Sequence, residues 1–375
     1  MKAPEGDLST KYAALGWVLA AALSLAGRPC PAQESPRPSG GAPGPEMTPE
    51  VEAAIERGLA FLARAQNPSG SYGSGGAPVA TTALAGMAFL AGGHIPGRSR
   101  YGENVRKTLA YVLKCAGRSG YINEGQARGV GGSGMHGHGY ATMFLAECYG
   151  MVGETPDFDA ETLKEKLTAA VRLIEQSQCP NGGWNYEPNP SYDEGSVTVT
   201  QVQALRAARN AGIKVSLRTI QKAVEYIDKS TDANGQTRYS LTSGGHTSFA
   251  LTAAGMSVLN FLGTYDHPKL RKGLDSIVRT LPGGGANNAA MGAWGGWYFY
   301  GNYYATLACY QAGGTYWERW WPALRRDLVA TQTKATGAWT HGESVSYGDA
   351  FGTALALQML QIPYRTLPLY QRGSD

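Results

Sequence analysis

The chain has 375 residues, 43% of them hydrophobic and 17% charged, with 51 glycines and a formal net charge of +4. This length holds a large core, in one big domain or two ordinary ones. The near-neutral balance, with no Lys/Arg run, argues against nucleic acid as a partner.

The N-terminus reads as an address. Tyr12 to Ala26 is an apolar run of roughly 15 residues behind Lys11, short of the about 20 needed to span a bilayer. Small residues follow at Cys30-Pro-Ala32, as signal peptidase requires. Residues 1–32 are therefore expected to be a signal peptide cut near Ala32, and the protein to be exported, periplasmic or secreted. Arg28-Pro29 makes a poor lipobox before Cys30. A retained anchor is the alternative, and this segment is the only expected link to a membrane. Residues 33–48, rich in Pro, Gly and Ser, read as a flexible linker.

Residues 49–365 carry a repeat. Gln66…Gly70-Ser-Tyr72 ends a helix and enters a turn; Gln178…Gly182-Gly-Trp184 and Gln332…Gly337-Ala-Trp339 do the same. Weaker copies end at Gly120-Tyr121 and near Gly235, and a fifth helix has Lys272-Gly273 without the Gln. Recurrence roughly every 50–60 residues marks stacked supersecondary units. Each unit reads as two helices. The first is amphipathic: Leu163, Leu167, Ala170, Val171 and Ile174 share one face, as do Val51, Ile55, Leu59 and Leu62. The second, such as Thr81–Leu90, Thr200–Ala211 or Ser248–Leu262, is nearly uncharged and rich in Ala and Gly, so most of its surface is buried. Six of each kind alternate. An inner ring covered by an outer ring satisfies both, so the predicted fold is all-α, an (α/α)6 toroid, with a linear solenoid as the rival. Strand signals are poor apart from short runs such as Trp297–Tyr300. Residues 366–375 are left as a tail.

Four cysteines, Cys115, Cys148, Cys179 and Cys309, fall in or at the ends of these helices. Helix axes about 8–10 Å apart rarely bring Cα atoms within the roughly 7 Å that a disulfide needs, so mostly free thiols are expected. No CxxC is present, and no cysteine zinc site is predicted.

The pattern Arg-Gly-x-x-Phe-Leu-x-x-x-Gln-x-x-x-Gly-x-Tyr/Trp resembles the repeat of the prenyltransferase and squalene-oxidase/cyclase family, whose members are terpenoid cyclase-like α/α toroids. More narrowly, Met135–Tyr149, Gly182-Gly-Trp-Asn-Tyr186 with Gly195-Ser-Val-Thr198, Tyr303-Tyr304-Ala305-Thr306 and the ending Tyr364–Tyr370 are similar to exported planctomycete-type repeat proteins of unassigned activity. The resemblance implies the fold and supplies no reaction. A DxDD acid motif, a DDxxD magnesium motif, an Asp-x-Cys zinc pair and a Gly-Cys-Gly-Glu-Gln thioester motif are all missing. Asp157-Phe-Asp159-Ala-Glu161, the nearest acidic string, precedes an outer helix, where acids favour the helix N-terminus.

In a toroid, the turns leading into the inner helices gather at one mouth. The glycines of Gly134-Met-His-Gly-His-Gly-Tyr140 are expected to shape such a turn. His138, Asp193 and His246 are the candidate acid/base residues. His136, Glu194, Trp294, Trp297, Tyr298, Tyr304 and His341 are the candidate ligand contacts, with Tyr140, Tyr300 and Tyr303 nearby in sequence. His136, His138, Asp193 and His246 are expected to line one pocket. The same nitrogen and oxygen donors suit a metal, but no metal and no cofactor is predicted. Other residues have plainer readings: Asp349 as a helix cap, Trp317, Trp320 and Trp321 as core. Glu147 lies nine residues after His138, half a helical turn away from its face, and is expected to satisfy loop amides or a cation; Thr142 shares the face of His138 and is expected to orient it.

Three functions follow. The favoured one is a binding or scaffolding toroid holding a hydrophobic or carbohydrate ligand. The others are a polysaccharide lyase or glycosidase using His, Tyr and carboxylates, and a divergent terpenoid cyclase-like enzyme.

Overall fold

The computed structural model describes residues 46–73, 77–124, 134–152, 159–283 and 297–371. The proposed signal peptide, all but the last three residues of the linker, and Trp294 lie outside them. Among the described residues, twelve long helices alternate between two layers. The outer set is α1 (Pro49–Ala65), α3 (Gly102–Cys115), α5 (Ala160–Gln176), α7 (Leu217–Ser230), α9 (Pro268–Arg279) and α11 (Gly314–Thr331). The inner set is α2 (Pro78–Ala91), α4 (Gly134–Cys148), α6 (Gly195–Asn210), α8 (Phe249–Phe261), α10 (Tyr298–Ala312) and α13 (Asp349–Gln361), with a single turn, α12 (Ser344–Tyr347), before the last. Each inner helix packs on the next, and α13 packs back on α2. The ring closes, so the fold is an (α/α)6 toroid and not an open solenoid.

The layering follows from composition. α5 buries only Leu163, Leu167, Ala170, Val171 and Ile174, the stripe its periodicity predicts. α13 buries every residue from Ala350 to Gln361. Small residues set the inner spacing. A Cβ on Gly139 would stand 2.8 Å from Thr200 Oγ1, so α4 and α6 touch through a glycine. Gly134, Gly137 and Gly139 are therefore helical packing residues. They do not shape a turn, because α4 already begins at Gly134. Likewise the strand-like run at Trp297–Tyr300 opens α10.

The repeat motif is a clamp. Gln66 Nε2 donates to Gly70 O in its own turn (3.1 Å) and to Asn104 O in α3 (2.9 Å). Gln178 bonds Gly182 O and Thr219 O at the start of α7 in the same way, at 3.0 and 2.9 Å. Gln332 bonds Gly337 O and, across the seam of the ring, Ala54 O in α1, both at 2.9 Å. Each turn thus holds the following outer helix. The clamp requires glycine: Gly182 has φ +97°, and a Cβ there would lie 2.1 Å from Lys222 O. The next residue but one in each turn is pegged to the inner helix. Tyr72, Trp184 and Trp339 donate their backbone N–H to Thr82, Thr198 and Thr353 Oγ1, at 2.9, 3.0 and 3.1 Å.

The far end of the ring is filled by the C-terminus. Residues 367–370, assigned to a tail by sequence, instead bury Leu367, Leu369 and Tyr370 completely. Tyr370 donates to Gln358 on α13 (3.2 Å), and Gln371 O accepts from Gln311 on α10 (2.9 Å). The four cysteines of the described residues are free thiols. Among these residues, no helix is long and apolar enough to cross a membrane.

Candidate functional site

At the mouth where inner helices begin lies a cavity of about 470 Å³. Its wall is largely aromatic: Tyr140, Tyr186, Tyr239, Trp297, Tyr300 and Phe351. Polar groups are few, chiefly His136, Glu194, Ser196 and His246. Glu187 stands exposed at the rim.

The start of α6 builds the polar corner. Glu194 is the N-cap: its backbone is extended, and its side chain turns back to accept from the exposed N–H of the first turn. Oε2 receives Val197 N–H (2.8 Å) and the Ser196 hydroxyl (2.5 Å). Oε1 is buried and receives nothing. Burial pushes the carboxyl up to about 7, although those two donors and the Ser196 backbone N–H oppose it. Ser196 Oγ also meets His136 Nε2 at 3.0 Å. Because the serine proton goes to Glu194, His136 Nε2 carries the hydrogen in this contact. Enclosure pushes the imidazole down to about 4, so it is neutral near neutral pH.

Phenols surround this corner. Tyr186 and Tyr239 share a hydroxyl contact of 2.5 Å, and Tyr300 donates to Ser196 O at 3.2 Å. His246 stacks on Tyr239, with ring centres 5.8 Å apart, at the exposed rim. Trp297 is half exposed and meets Tyr300 edge-on.

Of the sequence candidates, His136, Glu194, His246 and Trp297 line this cavity. His138 does not. Two residues along a helix is a turn of about 200°, so His138 points outward while His136 points in. It is fully buried, Nδ1 accepts Ile122 N–H (3.2 Å), and Nε2 donates to Ala170 O (3.2 Å). It fills the peg position that threonine holds before α2, α6, α8 and α13. Thr142 has no part in orienting it; its hydroxyl is buried without a partner. Asp193 is also structural. Burial alone would raise its carboxyl, but donors from Thr242, Leu241, Tyr226 and Asn181 hold it down at about 2. The expected four-residue pocket thus keeps only His136 and His246.

Three further candidates sit behind the wall. Tyr298 is buried and donates to Asp327. His341 packs against the rings of Tyr298 and Phe299, at 4.8 and 4.9 Å. Tyr304 lies below the cavity floor, where its hydroxyl meets that of Tyr140 at 3.4 Å. Asp349 makes no capping bond; it is simply an acid in the first turn of α13. Trp317, Trp320 and Trp321 are buried packing residues, as expected. Glu147 lies at the far end beside Arg206 and the Leu369 backbone, and burial pushes it up to about 8. Tyr186, Tyr239, Ser196 and Phe351 escaped the sequence reading. Tyr186, inside Gly-Gly-Trp-Asn-Tyr, and Ser196, inside Gly195-Ser-Val-Thr198, left a motif signal. Among the described residues, no three His, Cys, Asp or Glu side chains converge as a metal-ligand set.

No family model and no curated protein matches the sequence. Solved structures do match in fold. A variant of the type II terpene cyclase MstE from Scytonema, in complex with geranylgeranyl dihydroxybenzoate, superposes with a TM-score of 0.56 at 14% identity, covering 85% of this chain and 98% of that one. An inactive variant of the α-1,6-mannanase GH76A of Salegentibacter sp. HEL1_6, in complex with an α-1,6-mannotetraose, gives 0.59 at 10% identity, covering 84% and 99%. A glycosidase variant in complex with glucose gives 0.54 at 14% identity, covering 85% and 98%. The chain therefore has the terpenoid cyclase-like α/α toroid fold.

Proposed function

We propose that this toroid is a ligand-binding protein that holds a hydrophobic or carbohydrate ligand in the aromatic cup at its open mouth. The observation that carries this reading is the wall itself: aromatic rings from the leading turns of several inner helices around about 470 Å³, with few polar groups. Aromatic faces bury the apolar face of a sugar ring or a prenyl chain, and sparse polar groups fix its orientation. Of the three fold relatives named above, one is bound to a prenylated aromatic acid, one to an oligomannose and one to glucose, which supports that ligand class.

Trp297, half exposed at the rim, offers a direct readout. Its fluorescence should change on titration with prenyl alcohols or with mannose oligomers, and Trp297→Phe should abolish the signal. Tyr300→Ala should weaken affinity about tenfold or more, by loss of a buried aromatic contact. Silence of both ligand classes, in fluorescence and in thermal shift alike, sinks the reading. Export belongs to the same proposal, supported by the apolar run Tyr12–Ala26. Cell fractionation and N-terminal sequencing of the mature protein test it, with a start near Gln33 expected.

A further inference from the structure

The polar atoms of the cup are largely committed to one another. The Tyr186 and Tyr239 hydroxyls bond each other at 2.5 Å, Tyr300 donates to Ser196 O, and the Tyr140 hydroxyl meets that of Tyr304. Ser196 donates to Glu194, and His136 meets the same serine oxygen. Glu194 itself is fully buried and offers a ligand no surface. A sugar or a primary amine brings several O–H or N–H groups, each of which needs a partner once water is excluded. This wall has few partners left to give.

Charge narrows the ligand further. Among the described residues that line the cavity there is no Lys or Arg, and Glu187 stands exposed at the rim. The positive ends of inner helices gather at this mouth, but protein acceptors take their N–H groups. Glu194 and Ser248 cap α6 and α8, Glu343 accepts from Phe299 and Tyr300 N–H at α10, and Met135 N–H of α4 donates to Tyr186 O. An anion therefore finds no fixed counter-charge. The apolar part of the wall is selective too. Seven of the described lining side chains, histidines aside, are aromatic rings, against three alanines and one leucine. An aliphatic wall would bury a neutral chain equally well, whereas ring faces add an attraction for a cation that Leu or Val cannot supply. The rings also form corners, as the walls of a cage do: Trp297 and Tyr300 meet at 67°.

We propose that the hydrophobic ligand of the cup carries a quaternary ammonium group, seated among the rings of Trp297, Tyr300, Tyr186 and Tyr239, with Glu187 as the counter-charge at the mouth. A quaternary nitrogen has no N–H, so it needs no acceptor from a wall whose acceptors are already bonded. Its alkyl groups are apolar and pack on ring faces, and the positive charge spread over them is drawn to the ring quadrupoles. The cavity, about 470 Å³, also houses an organic body attached to that nitrogen.

This inference rests on the binding reading, so the probes separate charge from shape. Benzoylcholine and neohexyl benzoate have the same outline and differ only in a charged nitrogen against a neutral carbon. Calorimetric titration measures the affinity of the protein for each. The expected result is a preference of about tenfold or more for the cation, shrinking as salt is added. Trp297→Leu removes a ring but keeps apolar surface, and should reduce the ratio of the two affinities about threefold or more; Trp297→Phe, which keeps a ring, should reduce it less. Glu187→Gln alters an exposed side chain, so the fold is preserved, and it should weaken the cation more than the isostere. Equal binding of the two probes, a smaller preference, or a preference unchanged by Trp297→Leu and Glu187→Gln alike overturns the inference and leaves the binding reading standing. If neither probe binds, the inference falls, and the prenyl alcohol and mannose titrations decide the binding reading on their own.

Discussion

His136 and His138 are separated by one glycine and have opposite environments. One faces the cavity and touches Ser196; the other is locked between Ile122 N–H and Ala170 O. Burial pushes the His138 imidazole down to about 4, below the usual histidine value of about 6.5. The native state therefore favours the neutral ring. Its stabilisation is complete above pH 6.5 and is lost as pH falls toward 4. His138→Ala should cost about 1–3 kcal/mol at pH 7, because it leaves a buried N–H unpaired, yet should leave ligand binding intact. His138→Thr restores the peg used by the other turns, so it should cost less and flatten part of the acid sensitivity. Urea unfolding at pH 7 and pH 4.5 measures both effects. The sequence placed both histidines on the second inner helix, but residue types alone did not say which was the peg. That distinction lay in a peg role shared with Thr82, Thr198 and Thr353, and spacing from the turn glycines did not encode it, because the second unit's turn is longer than those of the other units.

At the scale of elements, the Gln…Gly-x-aromatic turn was legible because its chemistry is local and repeated. The glutamine bonds its own turn and the next outer helix, while the glycine supplies a φ that other residues adopt at a cost. Gly182→Ala should cost about 3 kcal/mol or more, since a left-handed φ is combined with a close approach to Lys222 O. Gln332→Ala should cost about 1–2 kcal/mol and loosen the seam, because its partner Ala54 O belongs to the first helix. Hydrogen exchange should then rise in α1 and α11 before α5. Equal acceleration around the ring would argue against a seam held by this side chain. What the sequence hid was the cavity wall. Tyr186 and Tyr239 come from turns of different repeats, Tyr186 within the turn before α6 and Tyr239 in the turn before α8, and meet only because the ring brings these turns together. No periodicity encodes that meeting.

For the whole molecule, the closed ring was the expectation that the alternating helices carried furthest, since a fully buried inner helix needs neighbours on every side. The C-terminus was missed because a short segment of Leu, Pro and Tyr has no periodicity to read. It crosses the far end, touching the neighbouring inner helices α10 and α13 and, across the ring from α13, Arg206 of α6. Glu147 lies in this closure and, with its carboxyl pushed up to about 8, is held neutral in the folded chain. A raised acid stabilises fully below its unfolded value of about 4.3, and that contribution disappears as pH rises toward 8. Glu147→Gln should therefore raise the urea midpoint at pH 8 and leave it unchanged at pH 4. An equal shift at both values would rule out ionisation as the cause.

Because residues 367–370 fill the far end, traffic through this ring is not axial. Whatever enters the cup leaves by the way it came. A polymer cannot be threaded from end to end.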